Sequence, residues 1–380
     1  MRILQILHDH ERGGEQKLAR MIEDGLSPRG FAVEAAYFHS HQGLSAFAML
    51  AYAFCMARRI WRGGFDALIA YQSTASILVG VVGWLSGCRL RVVHQTCAPA
   101  KTARPLRLLD MLVGTLGLYS ANIVASAATW AEFARYPARY RRSMVLIVHG
   151  LDAPAPTRSR EAARRLFNLP LSQPVILNVG RLTAQKNQDV LIRALACLPQ
   201  AHLVLAGAGP KQDSLHTLAV TLGVDDRLHM LGALPADDIA DLYAAADLFV
   251  FPSTWETFGL AAVEAAMVGM PMVVADLAVL HEVLRANASS PVAFVAPCDI
   301  EGWISAIDGS LAEPPASQIA AAFALAMGRK YSRQRMIESY LSLFEAQRRP
   351  DEREIAHSGL GSTQMRRSWP AAVDQDLSGI

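Results

Sequence analysis

Residues 247–267, DLFVFPSTWETFGLAAVEAAM, decide the fold of this chain. The run Leu248–Phe251 is short and apolar, which is typical of a strand buried in a parallel sheet. The turn PSTW follows, and the glycine at position 259 predicts a helix that begins near Phe258 or Gly259. A buried strand that leads through a short turn into a helix predicts an α/β sheet, in which ligands bind at the carboxyl ends of the strands.

Two glutamates bracket the start of this helix. Glu256 precedes it in the loop, and Glu264 lies just over one turn inside it. The N–H groups of Phe258, Gly259 and Leu260 are free of helical partners and, with the helix dipole, favour a phosphate. The pattern predicts a pocket that holds a polyol beside a phosphate. Taken alone, two acidic residues here could also do no more than complement the dipole.

Two cations follow another predicted strand. Residues 174–180, PVILNVG, are typical of a buried strand that ends in glycine, and a helix is predicted over Gln188–Leu198. Arg181 and Lys186 lie in the loop between them, at the end of the strand where α/β sheets bind ligands. An arginine fork and a lysine point charge suit a diphosphate. A solvated loop with two cations is the alternative, which the two glutamates make less attractive.

Four runs carry a resemblance to a known family: GRLTAQKNQDVLIRAL, AHLVLAGAGP, DRLHMLGAL and DLFVFPSTWETFGLAAVEAAMVGMPMVVAD. In order and spacing they resemble the carboxy-terminal domain of the retaining glycosyltransferases of family 4, which have the GT-B fold. The resemblance implies two Rossmann-like, doubly wound α/β domains that face each other across a cleft. It also implies that Glu256 binds the hydroxyls of a donor sugar, that Glu264 binds the ribose of its nucleotide, and that Leu231 belongs to the donor site.

The length of 380 residues favours two domains. The turn HGLD resembles the family's Asn-Gly-Val-Asp turn, with His149 in place of asparagine, and a stiff APAPT linker follows it. The polar, aperiodic end of the chain predicts disorder. The predicted division is an acceptor-binding domain at 1–152, a nucleotide-sugar-binding domain at 153–330, a helix at 331–347 that crosses back to the first domain, and a disordered tail at 348–380.

Strand-like and helix-like stretches alternate in both halves, which predicts mostly parallel sheets covered by helices. The predicted strands are Arg2–Leu7, Ala32–Phe38, Ala67–Tyr71, Arg89–Val93, Asn122–Ser126, Met144–Val148, Val175–Val179, His202–Ala206, Leu228–Leu231, Leu248–Phe251, Met272–Ala275 and Ala293–Val295.

A glycine pair follows the first predicted strand. Glycines let the backbone approach a ligand closely, and the resemblance places Gly13 and Gly14 beside the donor diphosphate, although a plain tight turn explains them as well. The neighbouring His8, His10 and Glu15 are predicted to lie near the acceptor. Clustered histidines also raise the question of a metal site, which we discount because no third ligand follows at helical spacing.

A histidine follows the fourth predicted strand. Many relatives place a histidine in this loop on the acceptor side of the sugar, often with a second histidine three residues later, and His94 is the candidate catalytic residue on that resemblance. The later position is Cys97 in this chain, so the sequence leaves open which of the two occupies the catalytic position. A lone histidine at a strand end is as readily a packed, hydrogen-bonded residue.

The chain carries a net charge of +2, but the charge is unevenly distributed. Residues 1–152 hold 17 Lys and Arg against 10 Asp and Glu, a net +7, and the remainder holds 19 against 24, a net −5. The basic half favours an anionic partner such as a phospholipid surface, a lipid diphosphate or an acidic saccharide, or it reflects ordinary surface arginine. Five scattered cysteines suit a reducing compartment, which predicts a cytoplasmic protein.

Two apolar runs, at 46–57 and 76–88, fall short of the roughly 20 residues that cross a bilayer. Burial in the core is the first interpretation of both. The run at 46–57 is followed by RRIWR, and an apolar helix that ends in cations and a tryptophan also suits an interfacial helix. Peripheral contact with the inner face of the cytoplasmic membrane therefore stays open.

Together with the charged residues at the predicted donor site, the family resemblance implies a retaining, metal-independent hexosyltransferase. It would move a sugar from a nucleotide diphosphate sugar to a hydroxyl of a lipid-linked or growing saccharide. Arg181, Lys186 and the helix N–H groups would stabilise the leaving phosphate. No Asp-x-Asp metal motif lies near the donor site, so no cofactor is expected. No nucleic-acid partner is expected either. A nucleotide-sugar 2-epimerase and a noncatalytic nucleotide-sugar-binding subunit are the alternatives of the same architecture.

Overall fold

The computed structural model describes residues 1–7, 13–37, 46–285 and 290–348 of the chain. Strands and helices alternate in its first half. The elements are β1 (Arg2–Leu7), α1 (Gly14–Leu26), β2 (Ala32–Tyr37), α2 (Ala46–Gly63), β3 (Ala67–Tyr71), α3 (Ser73–Leu85), β4 (Leu90–His94), α4 (Arg104–Thr115), β5 (Ala121–Val124), α5 (Ala127–Glu132), α6 (Ala138–Arg141) and β6 (Met144–Leu146).

The second half repeats the alternation and ends in helices. Its elements are α7 (Arg160–Leu166), β7 (Val175–Val179), α8 (Gln188–Ala196), β8 (His202–Ala206), α9 (Gln212–Leu222), β9 (Leu228–Gly232), α10 (Ala236–Ala245), β10 (Leu248–Phe251), α11 (Leu260–Met267), β11 (Met272–Ala275), α12 (Ala278–Leu284), β12 (Val292–Val295), α13 (Ile300–Ala312), α14 (Ser317–Lys330) and α15 (Arg333–Arg348).

The strands form two separate parallel sheets, which confirms the predicted α/β class. Within the described residues, the first sheet has the order β2-β1-β3-β4-β5-β6 and the second has the order β12-β11-β10-β7-β8-β9. The second sheet has the strand order of a dinucleotide-binding fold, with its first and fourth strands, β7 and β10, side by side. Connections leave β7 and β10 in opposite directions, so the loops after these two strands border a crevice.

The first sheet is covered on both faces. Alternate residues of β1 point to opposite sides, so that Ile3 and Leu7 join one apolar cluster while Leu4 and Ile6 join another. Helices α1 and α15 pack on the first side, and α2, α3 and α4 pack next to one another on the second side. The carboxyl ends of the strands and the first turns of these helices lie at the same edge of the sheet.

Two stretches of chain connect the halves, and they run side by side. The stretch after β6 and the stretch before α15 meet in a parallel bridge between Leu151 and Ser332. The N–H of Leu151 donates to the carbonyl of Tyr331 at 2.7 Å. A Cβ on Gly150 would collide with the backbone of Ser332, so glycine is required for this close approach.

Several predicted boundaries were wrong by one or two residues. Strands predicted at 89–93, 122–126 and 144–148 are instead Leu90–His94, Ala121–Val124 and Met144–Leu146. Pairing sets these ends, because β5 and β6 are in register only from 122 to 124 and from 144 to 146. The helices predicted at 188–198, from 258 or 259, and at 331–347 are Gln188–Ala196, Leu260–Met267 and Arg333–Arg348, and the last strand begins at 292. Residues beyond 348 lie outside the described part.

Candidate donor and acceptor site

The loops after β7 and β10 are tied together at the crevice of the second sheet. The N–H of Thr254 donates to the carbonyl of Gln185 at 2.8 Å, and Gln185 Nε2 donates to the carbonyl of Trp255 at 3.0 Å. Asn187 adopts a left-handed conformation with φ of 54° just before α8, and its side-chain amide donates to the carbonyl of Pro297 at 2.8 Å. These contacts fix the backbone from which Lys186 and Glu256 project.

Lys186 and Glu256 form an ion pair across the two loops. Both side chains are largely buried, and the ammonium also lies 4.8 Å from the centre of the Phe251 ring. A cation and a carboxylate predicted from separate runs of sequence therefore meet at the carboxyl ends of neighbouring strands. Such a pair can exchange partners with a ligand that carries both a phosphate and a hydroxyl group.

Arg181 follows β7 directly, and its side chain is exposed. Glycines in the loop after β8 let this segment pack closely: a Cβ on Gly207 would collide with the carbonyl oxygen of Gly180, and one on Gly209 would collide with that of Leu182. The N–H of Leu182 donates to the carbonyl of Ala208 at 3.0 Å. The backbone that carries Arg181 is therefore held by the neighbouring strand and its loop.

The start of α11, which sequence analysis predicts to bind a phosphate, begins at a glycine in a left-handed conformation. Gly259 precedes the helix with φ of 88°, a conformation that glycine adopts without strain. Of the residues in the described ranges, none accepts a hydrogen bond from the N–H of Phe258, Gly259 or Leu260. The buried hydroxyls of Ser253 and Thr183, on the loops that border the crevice, likewise have no partner within those ranges. These groups are available to a ligand.

Glu264 lies inside α11, is buried, and is held from both halves of the molecule. One carboxylate oxygen accepts a hydrogen bond from the hydroxyl of Tyr243 at 3.0 Å, and the other pairs with the ammonium of Lys17. Lys17 belongs to α1 of the first half, so this ion pair crosses the cleft. Sequence analysis missed Lys17, because nothing in a local pattern indicates a partner 247 residues away.

The glycine pair lies opposite α11. Gly13 immediately precedes α1 and Gly14 is its first residue. A Cβ on Gly14 would lie 3.0 Å from Leu260 Cδ1, so this turn of the first half contacts the beginning of α11. His8 and His10 lie outside the described residues. Glu15 is described, and its carboxylate accepts a hydrogen bond from Gln72 Nε2 at 2.8 Å.

Gln72 was also missed by sequence analysis. It directly follows β3, next to β1 at the point where the strand order of the first sheet reverses, and it has φ of 67°. A glutamine in this conformation is uncommon and strained. The Gln72 and Glu15 pair therefore marks the crevice of the first sheet, where the acceptor is predicted to bind.

His94 is the last residue of β4 rather than the first residue of the loop. Its ring is buried, stacks on Tyr71 with centroids 4.7 Å apart, and has its Nε2 3.0 Å from the hydroxyl of Tyr340. Burial, and secondarily the neighbouring His149, hold the pKa of His94 well below its usual value. Cys97 lies in the following loop, half-buried, and burial raises the pKa of its thiol.

Further contacts join the halves beside the predicted donor loop. The hydroxyls of Ser126 and Thr129 donate to the carbonyl of Thr257, each at 3.1 Å. The carboxylate of Glu282 accepts hydrogen bonds from the N–H groups of Ala127 and Ala128, each at 2.7 Å. The first turn of α5 is thus attached to the second half at two places, Thr257 and Glu282.

Leu231 lies near the end of β9, the edge strand two positions from β7, and is half-buried. Across the described ranges, no group of three or more His, Cys, Asp or Glu side chains could hold a metal ion. In the same part of the chain, no helix has the length and hydropathy needed to span a bilayer.

Residues 159–338 match the family model described as glycosyl transferases group 1. D-inositol 3-phosphate glycosyltransferase of Mycolicibacterium smegmatis is 38% identical over 184 residues, which cover 46% of this chain and 42% of that protein. The chain thus matches less than half the length of this curated relative.

Solved structures share the whole architecture at low identity. HepE of Anabaena in complex with UDP-glucose superposes with a TM-score of 0.76 at 20% identity over 91% of this chain and 100% of that one. Sucrose-phosphate synthase of Thermosynechococcus elongatus superposes with a TM-score of 0.74 at 18% identity over 94% of this chain and 100% of that one. The chain has the GT-B fold, as the sequence motifs predicted, and residues 159–338 of its second half resemble the group 1 glycosyltransferases.

Proposed function

We propose that the protein is a retaining glycosyltransferase. It moves a hexosyl group from a nucleotide diphosphate sugar to a hydroxyl of a lipid-linked or growing saccharide, as part of polysaccharide or glycolipid synthesis in the cytoplasm. The observation that carries this proposal is the pair of lysine–glutamate contacts at the mouth of α11, Lys186 with Glu256 and Lys17 with Glu264. Two cations and two hydroxyl acceptors converge there beside unbonded N–H groups.

The donor would bind by exchange of partners. Its diphosphate takes Lys186, Arg181 and the N–H groups at the start of α11, while its sugar hydroxyls donate to Glu256 and its ribose hydroxyls donate to Glu264. Each carboxylate that loses an ammonium gains hydroxyl donors, so no buried charge is left without a partner.

The chemistry is electrostatic. As the bond from the sugar to the diphosphate breaks, negative charge builds on the leaving phosphate, and preorganised cations and N–H groups stabilise it where it develops. In the front-face route that the family resemblance favours, the leaving phosphate accepts the proton of the acceptor hydroxyl. His94 would lie on the acceptor side of the sugar, as a neutral imidazole.

A donor screen is the first test. UDP-, GDP- and ADP-sugars are compared for thermal stabilisation, because a ligand that binds only the folded state raises its stability by mass action. UDP-glucose is included because HepE was solved with it. The donor that binds is then incubated with saccharide and lipid-linked acceptors, in chelator and with magnesium or manganese. We expect transfer with retention of configuration, at the same rate in chelator.

Other outcomes would contradict the proposal. Activity that disappears in chelator and returns only with metal would reject the metal-independent site. Isomerised nucleotide sugar without any acceptor would favour the 2-epimerase, and donor binding without turnover across the acceptor panel would favour a binding subunit.

A further inference from the structure

Helix α2 exposes apolar side chains along its outer side. Leu50 and Phe54 are each 70% exposed and Trp61 is 59% exposed, whereas Met56 and Ile60 face the core. Positions 50, 54 and 61 are separated successively by about one and two helical turns, so they form one stripe. Helix α2 therefore has apolar side chains on two faces, and the core of this domain buries only one of them.

Helix α4 has the same property. Leu108, Leu112 and Leu116 recur at every fourth residue in and just after the helix, and each is more than half exposed. The opposite side of α4 buries Val113 and Asp110, the latter bonded to the hydroxyls of Tyr119 and Tyr140. The orientation of α4 is therefore fixed by its inner contacts, and its leucine stripe faces outward.

Helix α3 joins the two stripes. It packs between α2 and α4, and none of its thirteen residues is charged. Its outward side chains are only partly buried, and Trp84 near its end is exposed. The solvent-facing side of α2, α3 and α4, called the outer face below, is thus an apolar surface across neighbouring helices. Surfaces of this kind mark interaction sites rather than ordinary exposure.

The stretch of chain that contains the outer face is strongly basic. Residues 46–148 hold 12 Lys and Arg against 3 Asp and Glu, a net +9, although the whole chain carries only +2. Arg58 and Arg62 are exposed on α2, and Lys101 and Arg104 are exposed at the beginning of α4. Apolar side chains beside arginines and tryptophans match an anionic phospholipid surface, with its acyl boundary and negatively charged headgroups.

The position of the outer face fits this partner. Because α4 begins after the loop that follows β4, Lys101 and Arg104 lie at the same edge of the sheet as His94 and the predicted acceptor crevice. Helix α15, from which the chain continues beyond residue 348, packs on the opposite side of the sheet.

We propose that the outer face docks on an anionic phospholipid bilayer, with α2 and α4 lying in the plane of its surface. The inference deepens the proposed function and rests on it in one respect, because docking would present a lipid-linked acceptor at the edge of the cleft. Docking itself depends only on this face.

The test is sedimentation of the full chain with vesicles of phosphatidylcholine, either alone or mixed with phosphatidylglycerol. Binding is expected only with phosphatidylglycerol, and it weakens as salt is added. The variants Leu108→Ser with Leu112→Ser, and Phe54→Ser with Trp61→Ser, should each lower partitioning about tenfold or more. Arg58→Gln with Arg62→Gln should lower it about fivefold for each arginine.

Matched controls come from the second half. Val220→Ser removes an exposed apolar side chain from α9, and Arg193→Gln removes an exposed cation from α8. Both should leave vesicle binding unchanged. Since the substituted side chains are exposed, the variants should unfold at the wild-type temperature. The two apolar variants lie on separate helices, so either one that folds is sufficient for the test.

Three results would overturn the proposal: no phosphatidylglycerol-dependent sedimentation, sedimentation unaffected by the outer-face variants, or a dimer in solution that these variants dissociate without any vesicle binding. Donor binding is measured on the same preparations. Vesicle binding lost while a nucleotide sugar still binds rejects only the docking face. Vesicle binding without any donor binding keeps the face and rejects the glycosyltransferase.

Discussion

Replacing Lys17 by alanine should change the affinities for a nucleoside and for its diphosphate in opposite directions. The Lys17 ammonium, whose side chain is 41% exposed, pairs with the carboxylate of Glu264, whose side chain is 8% exposed. If ribose hydroxyls take over Glu264, Lys17 is released beside the glycine turn and meets the diphosphate. The substitution therefore removes a competitor of the ribose and a partner of the phosphate at once.

The magnitudes follow from the burial of the pair. Exposed ion pairs contribute about 0.2–1 kcal/mol, and breaking a buried pair costs about 3–5 kcal/mol. With one partner buried and the other half-exposed, Lys17→Ala should lower the unfolding free energy by about 1–2 kcal/mol. A nucleoside gains about 1 kcal/mol because it no longer displaces the ammonium. A nucleoside diphosphate loses a charge-assisted contact of about 2 kcal/mol, so its net loss is about 1 kcal/mol.

Calorimetric titration of the wild type and the variant measures both effects. The nucleoside of the donor should bind about fivefold more tightly to Lys17→Ala, and its diphosphate about fivefold more weakly. Lys17→Arg should restore the diphosphate affinity. Arg20→Ala removes an exposed cation from the same helix and should change neither affinity. If both ligands change by the same factor, or if neither changes, Lys17 does not exchange between carboxylate and phosphate.

Three further predictions concern the cleft and the connection between the halves. Lys186→Ala removes a preorganised cation, so it should cost about 2–4 kcal/mol of transition-state stabilisation, measured as a lower kcat/KM for transfer. A wild-type kcat/KM in this variant would contradict the role of Lys186. Glu282→Gln should weaken the bonds to Ala127 and Ala128 and expand the molecule in small-angle X-ray scattering, and unchanged scattering would show that these bonds do not hold the halves together. Burial lowers the pKa of His149 from 6.5 to about 4. Between those two pH values only the unfolded chain binds this proton, so the unfolding free energy falls by up to about 3 kcal/mol as the pH drops from 6.5 to 4. Urea titrations at pH 7 and pH 5 measure this fall, and His149→Asn should remove the part of it that His149 causes.

The strands of both sheets were predictable because each is a short apolar run, and six of the predicted strands have the observed ends. The ends that were wrong depend on partners. The edge strand β6 stops at Leu146 where β5 stops at Val124, although apolar residues continue to Val148. The apolar pattern of a sequence predicts which residues are buried, whereas the last residue of a strand is set by the length of the strand it pairs with.

Contacts within one sheet were more predictable than contacts between the two sheets. Lys186 and Glu256 follow strands of one sheet, and the carboxyl ends of parallel strands always meet at one edge. Lys17 and Glu264 belong to different sheets, so their contact depends on how the halves face each other. The strained Gln72 was equally hidden, because a glutamine after a strand has no pattern that predicts a positive φ.

The two lysine–glutamate pairs also explain why the cleft would favour a complete nucleotide sugar over its parts. The charges of Lys17 and Lys186 balance those of Glu264 and Glu256 in the two ion pairs. Pyrophosphate alone would draw the lysines away and leave two buried carboxylates without their ammonium partners, and a free sugar would have to compete with both ammonium groups. Only a molecule that brings phosphate oxygens and hydroxyl donors together satisfies both sets of groups, because leaving one buried set unpaired costs about 1–3 kcal/mol. The affinity of the intact donor should therefore exceed what its pyrophosphate and sugar contribute separately, and that excess should shrink in Lys17→Ala.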